Sequence, residues 1–178
     1  MARENKSKTK FEKHFQILIV DDNDSLLKFF KIHLNRFFPK VFAAISAKDG
    51  LSFFENESID LVIADIDMPK VSGIQFAKKV KKIDPSVSVL LISEAQPIKK
   101  IQMVDKILVQ PFSMDALHDS IHFCLDRRRR MKLISGYIKD PADFRSLIDG
   151  TVHVGQVAET GEEAELVQVL LNEMKGAA

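Results

Sequence analysis

The sequence contains one cysteine, almost no net charge and no long apolar segment, and each of these absences excludes a class of protein. Cys124 alone cannot form an intrachain disulfide framework or a cysteine-based zinc cluster. A formal net charge of +1 over 178 residues provides no overall field that would attract nucleic acid or a membrane surface. No apolar run approaches the ~18 residues of a membrane-spanning helix, and the basic N-terminus lacks the apolar region of a secretory signal. We therefore expect a cytoplasmic protein that has no membrane partner.

The composition is that of a folded protein. Hydrophobic residues make up 46% of the chain, which is enough for a substantial core. Composition and periodicity predict a flexible basic arm over residues 1–14, a folded domain over residues 15–126 and a helical C-terminal extension over residues 127–178. Cys124 falls within a helical pattern, so it is interpreted as a small core residue.

Five short apolar runs alternate with segments of helical periodicity in the predicted domain. The runs, each interpreted as a strand, span residues 15–20, 41–45, 61–64, 87–92 and 107–109. This alternation indicates a parallel sheet that is covered by helices on both faces. Five such units in about 110 residues fit an α/β, flavodoxin-like, doubly wound sheet with five parallel strands in the order 2-1-3-4-5.

The helices of this domain are predicted from apolar spacing and capping residues. Asp24 or Ser25 is placed to cap the first helix, which Pro39 should end. Further helices are predicted over about residues 47–56 and 73–83, and the last helix of the domain should begin after its capping residue Ser113. Residues 97–104 should form at most a short helix.

Polar residues end most of the apolar runs, and these positions are the candidates for a functional site. They are Asp21, Asp22, Asp65, Ser93 and Gln110. In a doubly wound sheet, ligands bind at the carboxyl ends of the strands, where these side chains should gather. Three carboxylates at two neighbouring strand ends would repel one another unless a cation joined them, and oxygen ligands without cysteine or histidine favour Mg²⁺.

Four stretches resemble the receiver domain of two-component response regulators. They are ILIVDDNDSLL (17–27), DLVIADIDMPKVSG (60–73), VSVLLIS (87–93) and ILVQPF (107–112), and the resemblance covers about residues 15–126. The second stretch is the most specific, because it combines an apolar strand, an aspartate, Met-Pro and a glycine at fixed spacing. The resemblance implies a signalling protein rather than an enzyme. Its implied partners are a sensor histidine kinase or phosphotransfer protein and a downstream protein target, with a second copy of the chain as a further candidate.

The resemblance also assigns roles to individual residues. Asp65 would be the phosphoacceptor, attacking a phosphohistidine to form an acyl phosphate. Asp21 and Asp22 would hold Mg²⁺ together with Asp65 and the backbone carbonyl of Asp67. Ser93 would be the switch hydroxyl that hydrogen-bonds the phosphoryl group.

The sequence departs from the receiver pattern at three points. Gln110 stands before Pro111 where receivers carry a phosphate-binding lysine, so a neutral amide replaces a cation. Lys70 is one candidate for a substitute charge, although a solvated loop lysine is the simpler interpretation. Ile107 occupies the position of a frequent aromatic switch, and the connection from Ser93 to Gln110 is short for the family. By the same resemblance, the Gln110–Pro111 peptide bond would be cis.

The C-terminal third is predicted to be helical. The last helix of the domain should run through Arg127–Arg130 to about Gly136, with the four arginines forming a solvated helix end. Two further helices are indicated, one beginning at Asp140-Pro141 and ending before Gly150, the other beginning at a Thr160/Glu163 capping box. Residues 151–157 between them suggest a short strand or a tether. Residues 131–178 carry four basic and eight acidic residues, which makes DNA binding unfavourable.

Two alternatives to a phosphate-accepting receiver remain open at this stage. Gln110 and the short connection favour a divergent receiver that acts as an interaction module independently of phosphorylation. Asp65 and Asp67 also resemble the nucleophile and general acid of haloacid-dehalogenase-type phosphatases, although the upstream Asp21-Asp22 pair does not match that family. The five histidines are dispersed, and His118 and His122, one helical turn apart, are interpreted as solvated rather than as metal ligands.

Overall fold

The computed structural model describes residues 14–95, 101, 103–138 and 140–176, with side chains as far as Met174. The chain divides into two units, of which the first ends at Leu125 and the second begins at Asp126. Most of the predicted basic arm and most of the short helix predicted within 97–104 lie outside the described residues. No helix in the described part of the chain is long and apolar enough to cross a membrane.

Five parallel strands form the sheet of the first unit, in the predicted order β2-β1-β3-β4-β5. The strands are β1 Gln16–Val20, β2 Lys40–Ala44, β3 Leu61–Asp65, β4 Ser88–Ser93 and β5 Lys106–Val109. The central strands β3 and β4 are buried along almost their whole length. Burial on both faces explains why their sequences are continuous apolar runs rather than alternating ones.

Helices cover both faces of this sheet. They are α1 Asp24–Leu34, α2 Ala47–Asn56, α3 Gly73–Ile83 and the first part of α4 Met114–Tyr137. Odd-numbered residues of β1, such as Ile17 and Ile19, belong to a cluster with α1 and α4, and Cys124 lies in it fully buried, as predicted. Leu18 and Val20 face the opposite way and pack with α2 and α3. The alternation of side chains along each strand therefore divides the core into two layers.

The ends of α1 differ from the prediction. Its N-cap is Asn23, whose side-chain oxygen accepts a hydrogen bond from the Leu26 amide at 3.2 Å, and Asp24 is already helical. The C-terminus lies at Leu34, well before Pro39. The Phe37 amide donates to the Leu34 carbonyl at 3.0 Å, which is the tight turn that often closes a helix. Proline was therefore the wrong stop signal here.

Histidines from α1 and α4 meet on one side of the first unit. The Nε2 atoms of His33 and His118 lie 3.0 Å apart, and both side chains are half-buried. The prediction that the histidines are dispersed is wrong for this pair. Periodicity assigned His118 to a helical face but gave no information about which residue of another helix lies opposite.

The second unit is a small helical assembly. It contains the end of α4, α5 Pro141–Ile148, α6 Val154–Val157 and α7 Gly161–Gly176. Its core includes Met131, Ile134, Phe144, Leu147, Val154 and Val167. The predicted caps are confirmed: Asp140 accepts from the Ala142 amide at 2.7 Å, and Thr160 and Glu163 form a reciprocal capping box.

Two predictions for this unit are wrong. Residues 154–157 form one helical turn instead of a strand or tether, with the Gln156 side chain accepting from the His153 amide at 2.8 Å. The four arginines do not form a solvated helix end, because Arg128 is only 5% exposed and Arg130 pairs with Glu173 of α7 at 3.7 Å. Of the four, only Arg129 is exposed.

Candidate functional site

The polar residues singled out in the sequence lie together at one edge of the sheet. Strand register places Val20 beside Ala64, so the next residues, Asp21 and Asp65, end the neighbouring strands β1 and β3. Ser93 ends β4, and the Gln110 amide directly after β5 donates to the Ser93 carbonyl at 2.8 Å. The parallel sheet thus brings four of the five candidates to adjacent strand ends, and Asp22 follows Asp21 in the loop.

Asp21 is a buried carboxylate at the centre of this edge. It is 4% exposed, and its Oδ1 accepts a hydrogen bond from the Asn23 amide at 2.8 Å. Burial raises the pKa of Asp21, the bond from Asn23 partly opposes that rise, and the charges of Asp65 and Asp22 add to it. Asp22 itself is exposed. The ionised form of Asp21 is therefore destabilised by lost hydration and by its acidic neighbours.

Asp65 is half-buried at the end of β3. Its Oδ2 accepts a hydrogen bond from the Asp67 amide at 3.0 Å. Burial raises the pKa of Asp65, the hydrogen bond from Asp67 lowers it in part, and the charges of Asp67 and Asp22 raise it further. Several like charges thus face one another at this edge, and a bound cation would relieve their repulsion.

A glycine allows the loop after β3 to fold back against Asp65. A Cβ atom added at Gly73 would lie 2.2 Å from the carbonyl oxygen of Asp65, and the Gly73 amide donates to the Ile66 carbonyl at 3.0 Å. Ser72 and Gln75 then start α3 with a capping box. The glycine of the sequence motif is therefore required by the close approach of two backbone segments. Within the same loop Lys70 has a φ of +68°, in the left-handed region, and its side chain is exposed.

The oxygen ligands at this edge suit Mg²⁺. Within the described ranges, no three histidine, cysteine or acidic side chains are gathered as a ready metal cluster, so the structure does not unite the three predicted carboxylates. Mg²⁺ commonly takes one or two carboxylates, keeps several waters and is completed by a phosphate. Asp21 and Asp65 meet that smaller requirement, because the charge of Asp65 is close enough to raise the pKa of Asp21. The residues present therefore fit the ion.

Ser93 and Gln110 form the other side of the edge. Ser93 is 7% exposed, and its hydroxyl donates to the Ala95 carbonyl at 2.7 Å. The Gln110 side chain is half-buried, and the Gln110–Pro111 bond is cis, as the resemblance implied. In this arrangement the Ser93 hydroxyl is bonded to its own loop, and the Gln110 side chain is a neutral carboxamide.

A buried ion pair, which no sequence pattern indicated, supports β4 and β5 at the opposite ends of these strands. Lys81 of α3 lies 3.3 Å from Asp105, and their side chains are 13% and 4% exposed. Asp105 also accepts from the Val89 amide at 2.7 Å, and Lys81 reaches the Val87 carbonyl. This network holds the end of the short β4–β5 connection. Ile107, on the adjacent strand, packs against the core layer of α2 and α3.

Comparison with known protein families gives a match that covers most of the first unit. The family described as the response regulator receiver domain matches residues 17–122. The transcriptional regulatory protein GlrR of Escherichia coli K12 is 30% identical over 116 residues, which are 62% of this chain. The chain spans about a quarter (26%) of the length of GlrR. The response regulator ArlR of Staphylococcus aureus is 24% identical over 161 residues, which are 87% of this chain and 72% of ArlR.

Solved structures resemble the first unit over nearly their whole length. A response regulator receiver domain protein from Clostridium thermocellum has a TM-score of 0.60 and 28% identity, covering 65% of this chain and 97% of that one. The response regulator TrrA from Thermotoga maritima, solved in complex with Mg²⁺ and BeF, has a TM-score of 0.56 and 25% identity. The match to TrrA covers 61% of this chain and 96% of that structure.

Proposed function

The chain belongs to the response regulator receiver domain family, and from this membership we propose that it accepts a phosphoryl group on Asp65 in a Mg²⁺-dependent reaction. The donor would be a phosphohistidine of a sensor histidine kinase or a phosphotransfer protein. The observation that carries the proposal is the position of Asp65. It ends β3 beside Asp21, in a loop whose backbone is fixed by the close contact between Gly73 and Asp65.

The chemistry proposed for Asp65 is a direct displacement at phosphorus. A carboxylate oxygen of Asp65 forms a bond to phosphorus while the phosphorus–nitrogen bond to the donor imidazole breaks, leaving an acyl phosphate. The Asp67 amide, which donates to Asp65 Oδ2 at 3.0 Å, orients the carboxylate. Asp65 must be ionised to react, and its raised pKa means that a cation favours the reactive form.

Asp21, Asp22, Asp65 and the backbone carbonyl of Asp67 would hold the Mg²⁺ ion. The bound ion supplies charge neutralisation for the phosphoryl oxygens during transfer. The destabilised ionised form of Asp21 supports this assignment, because a divalent cation would offset both its burial and the repulsion from Asp65. Asp22, which is exposed in the following loop, would add a further carboxylate for the ion.

The response to phosphorylation is proposed to be weaker than in a receiver that carries lysine at position 110. A hydrogen bond to a charged group contributes ~1.5–3 kcal/mol, against ~1 kcal/mol for a neutral one. Gln110 can donate only a neutral N–H to the phosphoryl group. Ser93 must also exchange its bond to the Ala95 carbonyl before its hydroxyl can reach that group. Phosphorylation and switching are therefore expected to be separable in this protein.

We expect the signal to be read through protein contacts in the cytoplasm. The target would be a downstream protein, with a second copy of the chain as a possible additional partner. DNA binding is disfavoured, since the helical extension over 131–178 carries four basic and eight acidic residues.

The test is phosphorylation by a small donor, followed by intact-mass measurement. With phosphoramidate and Mg²⁺, the full chain should gain one phosphoryl group, and Asp65→Asn should gain none. Asp67→Ala is the matched variant, because the proposal uses only the backbone of Asp67 and predicts that the adduct persists. If the wild type instead releases phosphate catalytically and Asp67→Ala abolishes that release, the chemistry is that of a phosphatase. Absence of a phosphoryl adduct on the wild type would refute the proposed function.

A second candidate function is a receiver that acts as an interaction module without phosphorylation. It is favoured by the neutral Gln110 and by the Ser93 hydroxyl, which is already satisfied within its own loop. This candidate predicts that Asp65→Asn has no effect on binding to the downstream protein. The first candidate predicts that binding changes when the wild type, but not Asp65→Asn, is treated with phosphoramidate.

A further inference from the structure

Two histidines from different helices face each other on the α1–α4 side of the first unit. His33 and His118 have their Nε2 atoms 3.0 Å apart, and their ring centroids are separated by 5.2 Å at an interplanar angle of 77°. This contact lies apart from the sheet edge that carries Asp21, Asp22 and Asp65, which we call the acidic edge. The chemistry proposed for Asp65 does not involve either histidine. Its geometry brings two strong nitrogen donors to one point.

Aromatic side chains hold both rings in place. Phe37 contacts His118 edge-on with centroids 4.5 Å apart, and Phe29 stacks on His33 with centroids 6.3 Å apart and planes 21° apart. Both histidines are half-buried. The imidazole orientations are thus constrained by packing, which is the condition that makes a pair of ligands preorganised rather than mobile.

The separation of the two nitrogens is close to that required by a tetrahedral metal ion. Zinc–nitrogen bonds of about 2.0–2.1 Å at a tetrahedral angle place two ligand nitrogens about 3.4 Å apart. The observed 3.0 Å therefore needs to open by only a few tenths of an ångström. Without an ion, the same contact is a hydrogen bond in which one ring donates its Nε2 proton to the lone pair of the other.

Ligating and charged groups of both signs surround the pair. His122 follows His118 by one helical turn on α4, and Asp115 and Asp119 lie on the same helix. Arg36, which follows the end of α1, lines the recess beside His33.

Solvent can reach the α1 side of the pair. A recess of about 310 Å³ is lined by Phe29, Ile32, His33 and Arg36. It leaves room for waters to complete the coordination of an ion held by two imidazoles. In the part of the chain that the structure describes, no three candidate ligands are gathered at one point, so the two histidines and water make up the site.

We propose that His33 and His118 bind a transition-metal ion of the Zn²⁺ class and thereby clamp α1 to α4. Imidazole nitrogen selects such ions over Mg²⁺, which prefers the oxygen ligands of the acidic edge. The two sites are therefore distinct in chemistry as well as in position. Binding only to the folded chain would stabilise it by linkage.

Calorimetric titration of the full chain with ZnCl₂ tests the proposal, in a buffer that contains enough Mg²⁺ to occupy the acidic edge. One equivalent of Zn²⁺ should bind. His33→Gln and His118→Gln should each weaken binding by more than about tenfold, since even outer ligand partners are worth 10–100-fold in affinity. His153→Gln, an exposed histidine of the second unit, and Asp65→Asn should bind as the wild type does.

Histidine side-chain NMR on the wild type gives a second readout that needs no variant. Zn²⁺ should shift the Nε2 resonances of His33 and His118 together and leave that of His153 unchanged. The proposal is overturned if Zn²⁺ leaves those resonances unmoved, which would make the contact a hydrogen-bonded pair only. It is also overturned if His118→Gln weakens binding while His33→Gln does not, because the ion would then lie on α4 alone.

Discussion

Replacing Gly73 with alanine tests how the loop after β3 holds the proposed phosphoacceptor. The new methyl group would lie 2.2 Å from the Asp65 carbonyl oxygen, and the next nearest atoms, the Asp65 carbonyl carbon at 2.9 Å and the Ile66 Cα at 3.1 Å, are also backbone. Because none of these atoms can rotate away as a side chain would, the loop itself must move. Overpacking of this kind costs ~1–3 kcal/mol, and we expect the upper part of that range.

A second glycine supplies the matched control. Alanine in place of Gly136 meets no atom within 4 Å, and Gly136 lies on an exposed part of α4. Alanine in place of glycine restricts the unfolded chain and stabilises a protein by ~0.4–1 kcal/mol where its backbone conformation is compatible. Gly136→Ala should therefore stabilise its unit slightly, whereas Gly73→Ala should destabilise the first unit by about 2 kcal/mol after the same gain is subtracted.

Hydrogen exchange measured by mass spectrometry across a urea series separates the two units. Peptides from β3 should lose protection at lower urea in Gly73→Ala, and peptides from the end of α4 should gain protection in Gly136→Ala. Phosphorylation of Gly73→Ala by phosphoramidate should also slow, because Asp65 shares the displaced backbone. Unchanged protection of β3, or faster phosphorylation, would refute the argument that this glycine is needed for the close backbone contact.

Three further predictions concern charged and polar groups. Lys81→Met removes the cation beside the buried Asp105 carboxylate and should cost ~3–5 kcal/mol in urea unfolding. Lys28→Ala, which removes an exposed ion pair, should cost at most about 0.5 kcal/mol; equal losses would contradict this. The pKa of Asp21 is raised in the folded state, so its ionisation costs stability at neutral pH and this cost disappears as pH falls through the folded pKa towards 3.8. Without Mg²⁺ at pH 7, Asp21→Asn should therefore unfold at a higher temperature than the wild type, and this difference in unfolding temperature should shrink at acid pH. Mg²⁺ should stabilise the wild type but not the variant. A difference that grows as the pH falls would contradict the argument from burial. Gln110→Lys should favour the phosphorylated conformation by roughly twofold to thirtyfold, the ratio that corresponds to ~0.5–2 kcal/mol. NMR of the treated protein measures this ratio, and identical spectra and adduct lifetimes would show that the residue at this position is not decisive.

The sheet and the position of the candidate site could be predicted because both follow from local pattern. Buried parallel strands must be continuous apolar runs, and their polar end residues must meet at one edge. That reasoning correctly grouped Asp21, Asp65, Ser93 and Gln110. The motif glycine was also visible in the sequence, but its cause, the 2.2 Å approach to the Asp65 carbonyl, depends on backbone coordinates.

Contacts between elements that are distant in the chain could not be predicted in the same way. Periodicity shows which face of a helix is apolar but not what lies opposite, so the meeting of His33 with His118 and of Lys81 with Asp105 gave no signal. The burial of Arg128 was missed for a related reason. A run of arginines normally indicates solvent exposure, and the burial of one of its members depends on tertiary packing that a local pattern does not contain.

Local capping was predictable in kind and less so in position. Asn23, Asp24 and Ser25 are all good N-cap residues, and the structure selects Asn23, whose side chain reaches the Leu26 amide. Residues 154–157 carry β-branched residues and a glycine, which favours an extended chain, yet the Gln156 side chain caps a single helical turn there. Side-chain bonds worth about 1 kcal/mol decide such short segments.

The central claim is that Asp65, and no other carboxylate of the acidic edge, carries the phosphoryl group. Borohydride reduces an acyl phosphate to an alcohol, so a phosphorylated aspartate becomes homoserine and can be located by peptide sequencing. After treatment with phosphoramidate and Mg²⁺, reduction should convert residue 65 to homoserine and leave Asp21, Asp22 and Asp67 intact. Homoserine at any of those three positions, or at none, would contradict the claim.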